Sequence, residues 1–87
     1  MTDPEIVELI DATISEEFEI DRTEMTPDAT LFEALGMDSL DIVDLVVALE
    51  KAFGFKIRDE KSIRTIRTLG DIHAFVIQKK RQLEEAA

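Results

Sequence analysis

The sequence predicts an all-α domain, a small four-helix bundle of three long helices and one short helix with a long first loop. Apolar residues recur at helical spacing in three separate stretches, over residues 6–18, 42–53 and 69–83. A capping residue stands before each stretch: Asp3, Asp38 and Thr68. At 87 residues, 45% hydrophobic and 34% charged, the chain reads as a single globular domain spanning 1–87.

The first helix opens at Asp3-Pro4, a capping residue followed by proline at the first helical position. Ile6 or Val7, Ile10, Ile14 and Phe18 form its core stripe, and the helix is expected to run to about residue 19. Glu5, Glu8, Asp11, Glu16 and Glu17 fall largely outside that stripe.

Residues 20–38 form a long connection, punctuated by Asp21-Arg22, Thr26-Pro27-Asp28 and Gly36. A connection of this length without regular structure has to pack on the core or serve function. Leu31, Phe32 and Leu35 are expected to pin it, through a helical turn over 31–35. Asp21, Glu24 and Asp28 lack the ligand spacing and central glycine of a calcium loop.

The second helix, residues 39–53, is apolar on two faces. Ile42, Leu45 or Val46, Leu49 and Phe53 make a core stripe, and Leu40, Val43 and Val47 make a second one. Periodicity alone leaves open whether the second stripe packs under the loop or faces solvent. Asp38 is an N-cap residue, with Asp41 three positions on. Ser39 then falls in the first turn, where backbone N–H groups lack intrahelical partners and the helix dipole is positive, a place that favours an attached phosphate.

Gly54 ends this helix, and 55–57 is a short extended link. A short third helix is expected over 59–66, with Ile63 and Ile66 inward. Thr68 caps the last helix with Asp71 three positions later, and Leu69, Ile72, Phe75, Val76 and Leu83 supply its stripe. Lys79, Lys80 and Arg81 suit a helix C-terminus, and residues 84–87 are expected to fray. His73 has no second histidine or cysteine to complete a metal site and is expected at the surface or half-buried.

Composition excludes several functions. No cysteine means no disulfide, no thiolate metal site and no cysteine nucleophile, so any thiol chemistry must be added covalently. No apolar run is long enough to insert in a membrane, and Asp3, Glu5 and Glu8 stand where a signal peptide carries positive charge, so a cytoplasmic monomer is expected. Residues 1–50 hold fifteen acids against Arg22 alone, a balance of −14, whereas 51–87 hold nine bases against five acids, a balance of +4. Such an acidic excess argues against nucleic acid and for salt-sensitive docking to basic partners.

Gly36-Met37-Asp38-Ser39-Leu40-Asp41, followed by Val43-Asp44-Leu45 and Ala48-Leu49-Glu50, resembles the acyl carrier proteins and related thiolation domains over nearly the whole chain. The resemblance implies a carrier, not an enzyme. Ser39, flanked by Asp38 and Leu40, would be esterified with 4′-phosphopantetheine from coenzyme A by a phosphopantetheinyl transferase. The thiol of that arm would carry acyl groups as thioesters for fatty acid, polyketide or specialised lipid synthesis. Acyl-transferring, ligase or synthase enzymes would dock on the second helix, at Asp41, Val43, Asp44, Val47 and Glu50. Val46, Leu49, Phe53, Ile57, Ile63, Ile66, Leu69 and Ile72 are the residues that could shelter an acyl chain, although each is also an ordinary core residue. An aminoacyl or peptidyl carrier, or an unmodified helical interaction module, are the alternatives.

Some positions depart from the family pattern. Lys51 and Ala52 stand where acids are usual, and Lys56, Arg58, Lys61, Arg64 and Arg67 oppose only Asp59 and Glu60. Gly70 sits in the first turn of the last helix. These changes leave the Ser39 chemistry untouched and fit either a restricted set of partners or charge drift at solvated positions.

Overall fold

The computed structural model describes residues 2–56 and 65–86. Three α-helices dominate: α1 (Asp3–Phe18), α2 (Ser39–Phe53) and α3 (Leu69–Ala86), with a 3₁₀ turn at Arg22–Glu24. The described residues contain no β-strand, only an isolated bridge between Thr30 and Thr68. The short helix expected over 59–66 lies almost wholly outside the described residues; its last inward residue, Ile66, is buried.

Helix α1 is capped by Thr2, one residue earlier than expected. The Thr2 hydroxyl accepts from the Glu5 N–H at 3.3 Å, and the Glu5 carboxylate accepts from the Thr2 N–H at 2.9 Å. Glu5 can close this reciprocal box only with a residue three positions before it, which selects Thr2 over Asp3. Pro4 still lies in the first turn, where its missing N–H costs no hydrogen bond. The helix buries Ile6, Ile10 and Ile14, with Phe18 half-buried, and ends on Glu19 in the left-handed region, φ 53°.

These isoleucines meet Leu45, Val46 and Leu49 of α2 and Leu69, Ile72, Phe75 and Val76 of α3 in one core. Full burial of an aliphatic side chain of this size contributes about 1.5–3 kcal/mol, so this common core is what holds three amphipathic helices together.

Helix α3 keeps its helical form to Ala86 instead of fraying at 84. Lys79, Lys80 and Arg81 therefore lie mid-helix. Lys80 pairs with Glu84 at 3.2 Å one turn on, and Arg81 reaches Asp3 of α1 at 2.7 Å. Leu83 is 48% exposed, because the core ends at Val76 and Ile77, nearly two turns before it. His73 is buried rather than at the surface: its Nε2 lies 2.7 Å from the Asp11 carboxylate on α1. Asp11 lies at the edge of the α1 stripe, and packing α1 against α3 closes the pair across 62 positions of sequence.

The long connection is pinned to the start of α3 by backbone. The Leu31 N–H donates to Arg67 O at 2.9 Å, the Leu69 N–H to Ala29 O at 3.0 Å and the Gly70 N–H to Pro27 O at 2.8 Å. Gly70 is thereby explained: a Cβ at this position would stand 2.9 Å from the Pro27 carbonyl oxygen, a backbone atom that cannot swing aside. Leu31 is fully buried, as expected, and Leu35 is half-buried. Phe32, also expected to pin the loop, is 50% exposed, because the turn over 31–35 directs Leu31 inward and its neighbour outward.

Two outcomes follow. Gly70→Ala is expected to destabilise the fold by about 1 kcal/mol or more in urea denaturation, despite alanine's better helix propensity, since backbone must move to admit the methyl group. The Asp71 carboxylate accepts from the Arg67 and Thr68 N–H groups at 2.9 and 3.1 Å, and these bonds hold its pKa below the ordinary aspartate value. A depressed folded-state pKa contributes stability that is present above the unfolded value near 4 and is lost as pH falls through the lower folded value. Asp71→Asn should therefore lower the urea midpoint at neutral pH and bring it closer to that of the unsubstituted protein at about pH 3.

Candidate functional site

The site is built where the long connection delivers the chain to α2. Gly36 turns through the left-handed region at φ 70°, which favours glycine. Met37 is then buried, and its N–H donates to Leu31 O at 2.9 Å. Next, Asp38 caps the helix: its carboxylate accepts from the Asp41 N–H at 2.9 Å, and the Asp41 carboxylate accepts from the Asp38 N–H at 3.1 Å. This reciprocal box, legible in the Asp38 and Asp41 spacing, fixes Ser39 as the first helical residue.

Met37 and Ile42 flank the cap at the positions of a hydrophobic staple, and both belong to the buried cluster. Sequence reading placed Ile42 in the core and missed Met37. The staple spacing, apolar residues just before the cap and four positions into the helix, is the signal that would have found it.

Ser39 is exposed, and its hydroxyl makes no hydrogen bond to the described residues. The backbone N–H groups of Ser39 and Leu40 also lack partners among the described residues, because the capping box uses those of Asp38 and Asp41. A phosphodiester on the Ser39 oxygen would meet two unpaired donors and the positive end of the α2 dipole. The residues therefore fit a phosphate-linked arm. No histidine or lysine among the described residues hydrogen-bonds to Ser39, so none of them is placed as its general base.

The second apolar stripe of α2 faces solvent. Leu40 is 76% exposed and Val43 58% exposed, while Val47 is half-buried. Asp44 is exposed, and Asp41 and Glu50 are half-buried. The outer face of α2 is thus an apolar strip framed by carboxylates at its N-terminal half.

Of the residues named for acyl shelter, Val46, Leu49, Ile66, Leu69 and Ile72 are buried in the common core. Phe53 is half-buried, with its ring centroid 5.9 Å from that of Phe55. Ile57 and Ile63 lie outside the described residues.

A short helical bundle that offers one unengaged hydroxyl at a helix mouth, with no base beside it, is a carrier domain. Residues 8–76 match the family described as the phosphopantetheine attachment site. The chain is 43% identical over 72 residues to acyl carrier protein 2 of Ralstonia nicotianae, covering 83% of this chain and 88% of that protein. It is 39% identical over 75 residues to the acyl carrier protein of Helicobacter pylori, covering 86% and 95%. The acyl carrier protein of Thermotoga maritima is 40% identical over 75 residues, covering 86% and 91%. The structure of the acyl carrier protein from Enterococcus faecalis superposes with a TM-score of 0.69 at 28% identity, covering 90% of this chain and 98% of that one.

The chain belongs to the acyl carrier protein family. It is a carrier rather than an enzyme, and its prosthetic group is covalently attached 4′-phosphopantetheine. When bound, that group supplies the thiol the chain itself lacks. No helix among the described residues is long and apolar enough to cross a membrane.

Asp38→Ala should cost about 1 kcal/mol by removing the cap acceptor and exposing the Asp41 N–H. Urea denaturation should show a lower midpoint with an unchanged slope.

Proposed function

We propose that Ser39 is the attachment residue and that this protein delivers acyl groups, held as thioesters, to enzymes of fatty acid or related lipid synthesis. The observation that carries this reading is the Ser39 hydroxyl, exposed at the first helical position of α2 beside two unpaired N–H groups, inside the segment that matches the attachment family. Asp38 and Leu40 flank it, the first as helix cap and the second as an exposed apolar contact for the transferase.

Partner enzymes dock on the outer face of α2. Val43 and Val47 supply apolar contact, and Asp41, Asp44 and Glu50 supply charge. Exposed carboxylates speed encounter with basic surfaces, while a short apolar strip gives few anchors, a combination suited to complexes that form and release quickly. The similarity to acyl carriers favours acyl over aminoacyl or peptidyl cargo. The protein acts as one carrier domain over residues 1–87, as a monomer in the cytoplasm. An acyl chain sheltered inside would lie among Val46, Leu49, Phe53, Ile66, Leu69 and Ile72, and would have to displace close-packed side chains to enter.

Coexpression with a broad-specificity phosphopantetheinyl transferase is expected to add the mass of one phosphopantetheine. Ser39→Ala should stay unmodified while keeping the helical circular dichroism of the parent. A mass gain in Ser39→Ala would move the attachment elsewhere.

A further inference from the structure

Unlike Arg22, Lys80 and Arg81, Lys51 and Lys56 have no counter-ion among the described residues. Arg22 pairs with Glu8, Arg81 with Asp3 and Lys80 with Glu84. Lys51 and Lys56 are exposed, and no carboxylate among the described residues engages either of them, in a chain with twenty acids and ten bases. Both line one open groove at the C-terminal end of α2, about 560 Å³ in volume, together with Val47, Glu50, Gly54 and Phe55. A third ammonium group, that of Lys80, sits 6.0 Å from the Phe55 ring. The groove joins two unspent positive charges to an aromatic and an aliphatic side chain.

On a helix of 3.6 residues per turn, Ser39, Val43 and Glu50 fall within about 40° of one another, whereas Lys51 stands about 120° round from Ser39 and meets their face of α2 through its long side chain. Lys51 lies twelve residues beyond Ser39, about 18 Å along the axis at 1.5 Å per residue. An extended phosphopantetheine arm advances roughly 1.2 Å per bond over about fourteen bonds, a reach of about 17 Å to its sulfur. The acyl group begins where the arm ends, level with Lys51, so a short chain lies along the groove that Lys51 and Lys56 line.

We propose that this groove receives the distal end of an acyl cargo that terminates in a carboxylate, with Lys51 and Lys56 pairing the carboxylate and Phe55 and Val47 covering the methylenes. The inference rests on Ser39 as the attachment residue. An unfunctionalised acyl chain offers the two ammonium groups nothing, whereas a dicarboxylic one supplies the missing counter-ion. Exposed ion pairs are individually weak, but tethering raises the local concentration of the carboxylate and still lets it leave for a partner enzyme.

The test loads the apo protein through a broad-specificity transferase with arms taken from glutaryl-coenzyme A and from pentanoyl-coenzyme A, which present acyl chains of equal carbon count with and without a terminal carboxylate. Intact mass establishes loading first; a failure there, or loading of Ser39→Ala, strikes the attachment reading and not the groove. Amide and lysine side-chain resonances are then compared between the two loaded forms. The glutaryl form is expected to shift Lys51, Gly54 and Lys56 relative to the pentanoyl form. That difference should vanish in Lys51→Gln/Lys56→Gln and shrink at roughly 0.5 M salt, where screening acts within a few ångströms. Equal shifts with both arms, no shift with either, or a difference that survives in the double variant would overturn the proposal.

Discussion

Three backbone hydrogen bonds hold this structure in register. They run from Leu31 to Arg67, from Leu69 to Ala29 and from Gly70 to Pro27, and they clamp the middle of the long connection onto the start of α3. Without them, the twenty residues between α1 and α2 would have to be ordered by side-chain burial alone, against a backbone entropy of about 1–2 kcal/mol for each residue fixed. The clamp places Leu31 at the centre of the core. Leu31 O in turn receives the Met37 N–H, so the position of the α2 mouth follows from a contact with backbone some thirty positions further along the chain. Gly70 belongs to this clamp. Its appearance as a departure from the family pattern has a steric cause, the Pro27 carbonyl, and not a partner-related one.

The site inherits its chemistry from that placement. A capping box uses two carboxylates to satisfy the N–H groups of Asp38 and Asp41 and leaves those of Ser39 and Leu40 open. The same two carboxylates set a negative field around the Ser39 hydroxyl. The helix dipole and the open N–H groups offset that field within the first turn, where such effects are confined. The protein thus holds its serine ready but unactivated. Apolar Leu40 and Val43 are left in solvent along α2 at some cost in hydration.

Electrostatics divides the molecule lengthwise. The first fifty residues carry nearly all the excess acid, yet several of those carboxylates serve the fold as caps or ion pairs: Glu5 with Thr2, Glu8 with Arg22, Asp3 with Arg81, Asp11 with His73. Of these, the Asp11–His73 pair is the one withdrawn from solvent, and it ties α1 to α3 in a way that an aliphatic pair would do without directional preference. The remaining acids at the head of α2 and the uncompensated lysines at its foot give one helix two electrostatic ends.

The sequence by itself determined the three long helices, the core stripes of α1 and α2, the capping of α2 by Asp38 with Asp41, and the place of Ser39 in the first turn. Each depends on residues within about four positions of one another, so spacing alone expresses it. Only the tertiary structure decided that the Leu40 and Val43 stripe faces solvent, since a helix's period says how many apolar faces it has but not which of them finds a partner. Tertiary packing also turned Phe32 outward, buried His73 against Asp11, and required glycine at position 70. These outcomes arise between residues some 40 to 60 positions apart in the chain, or from which side of a turn meets the core, and no local pattern encodes them.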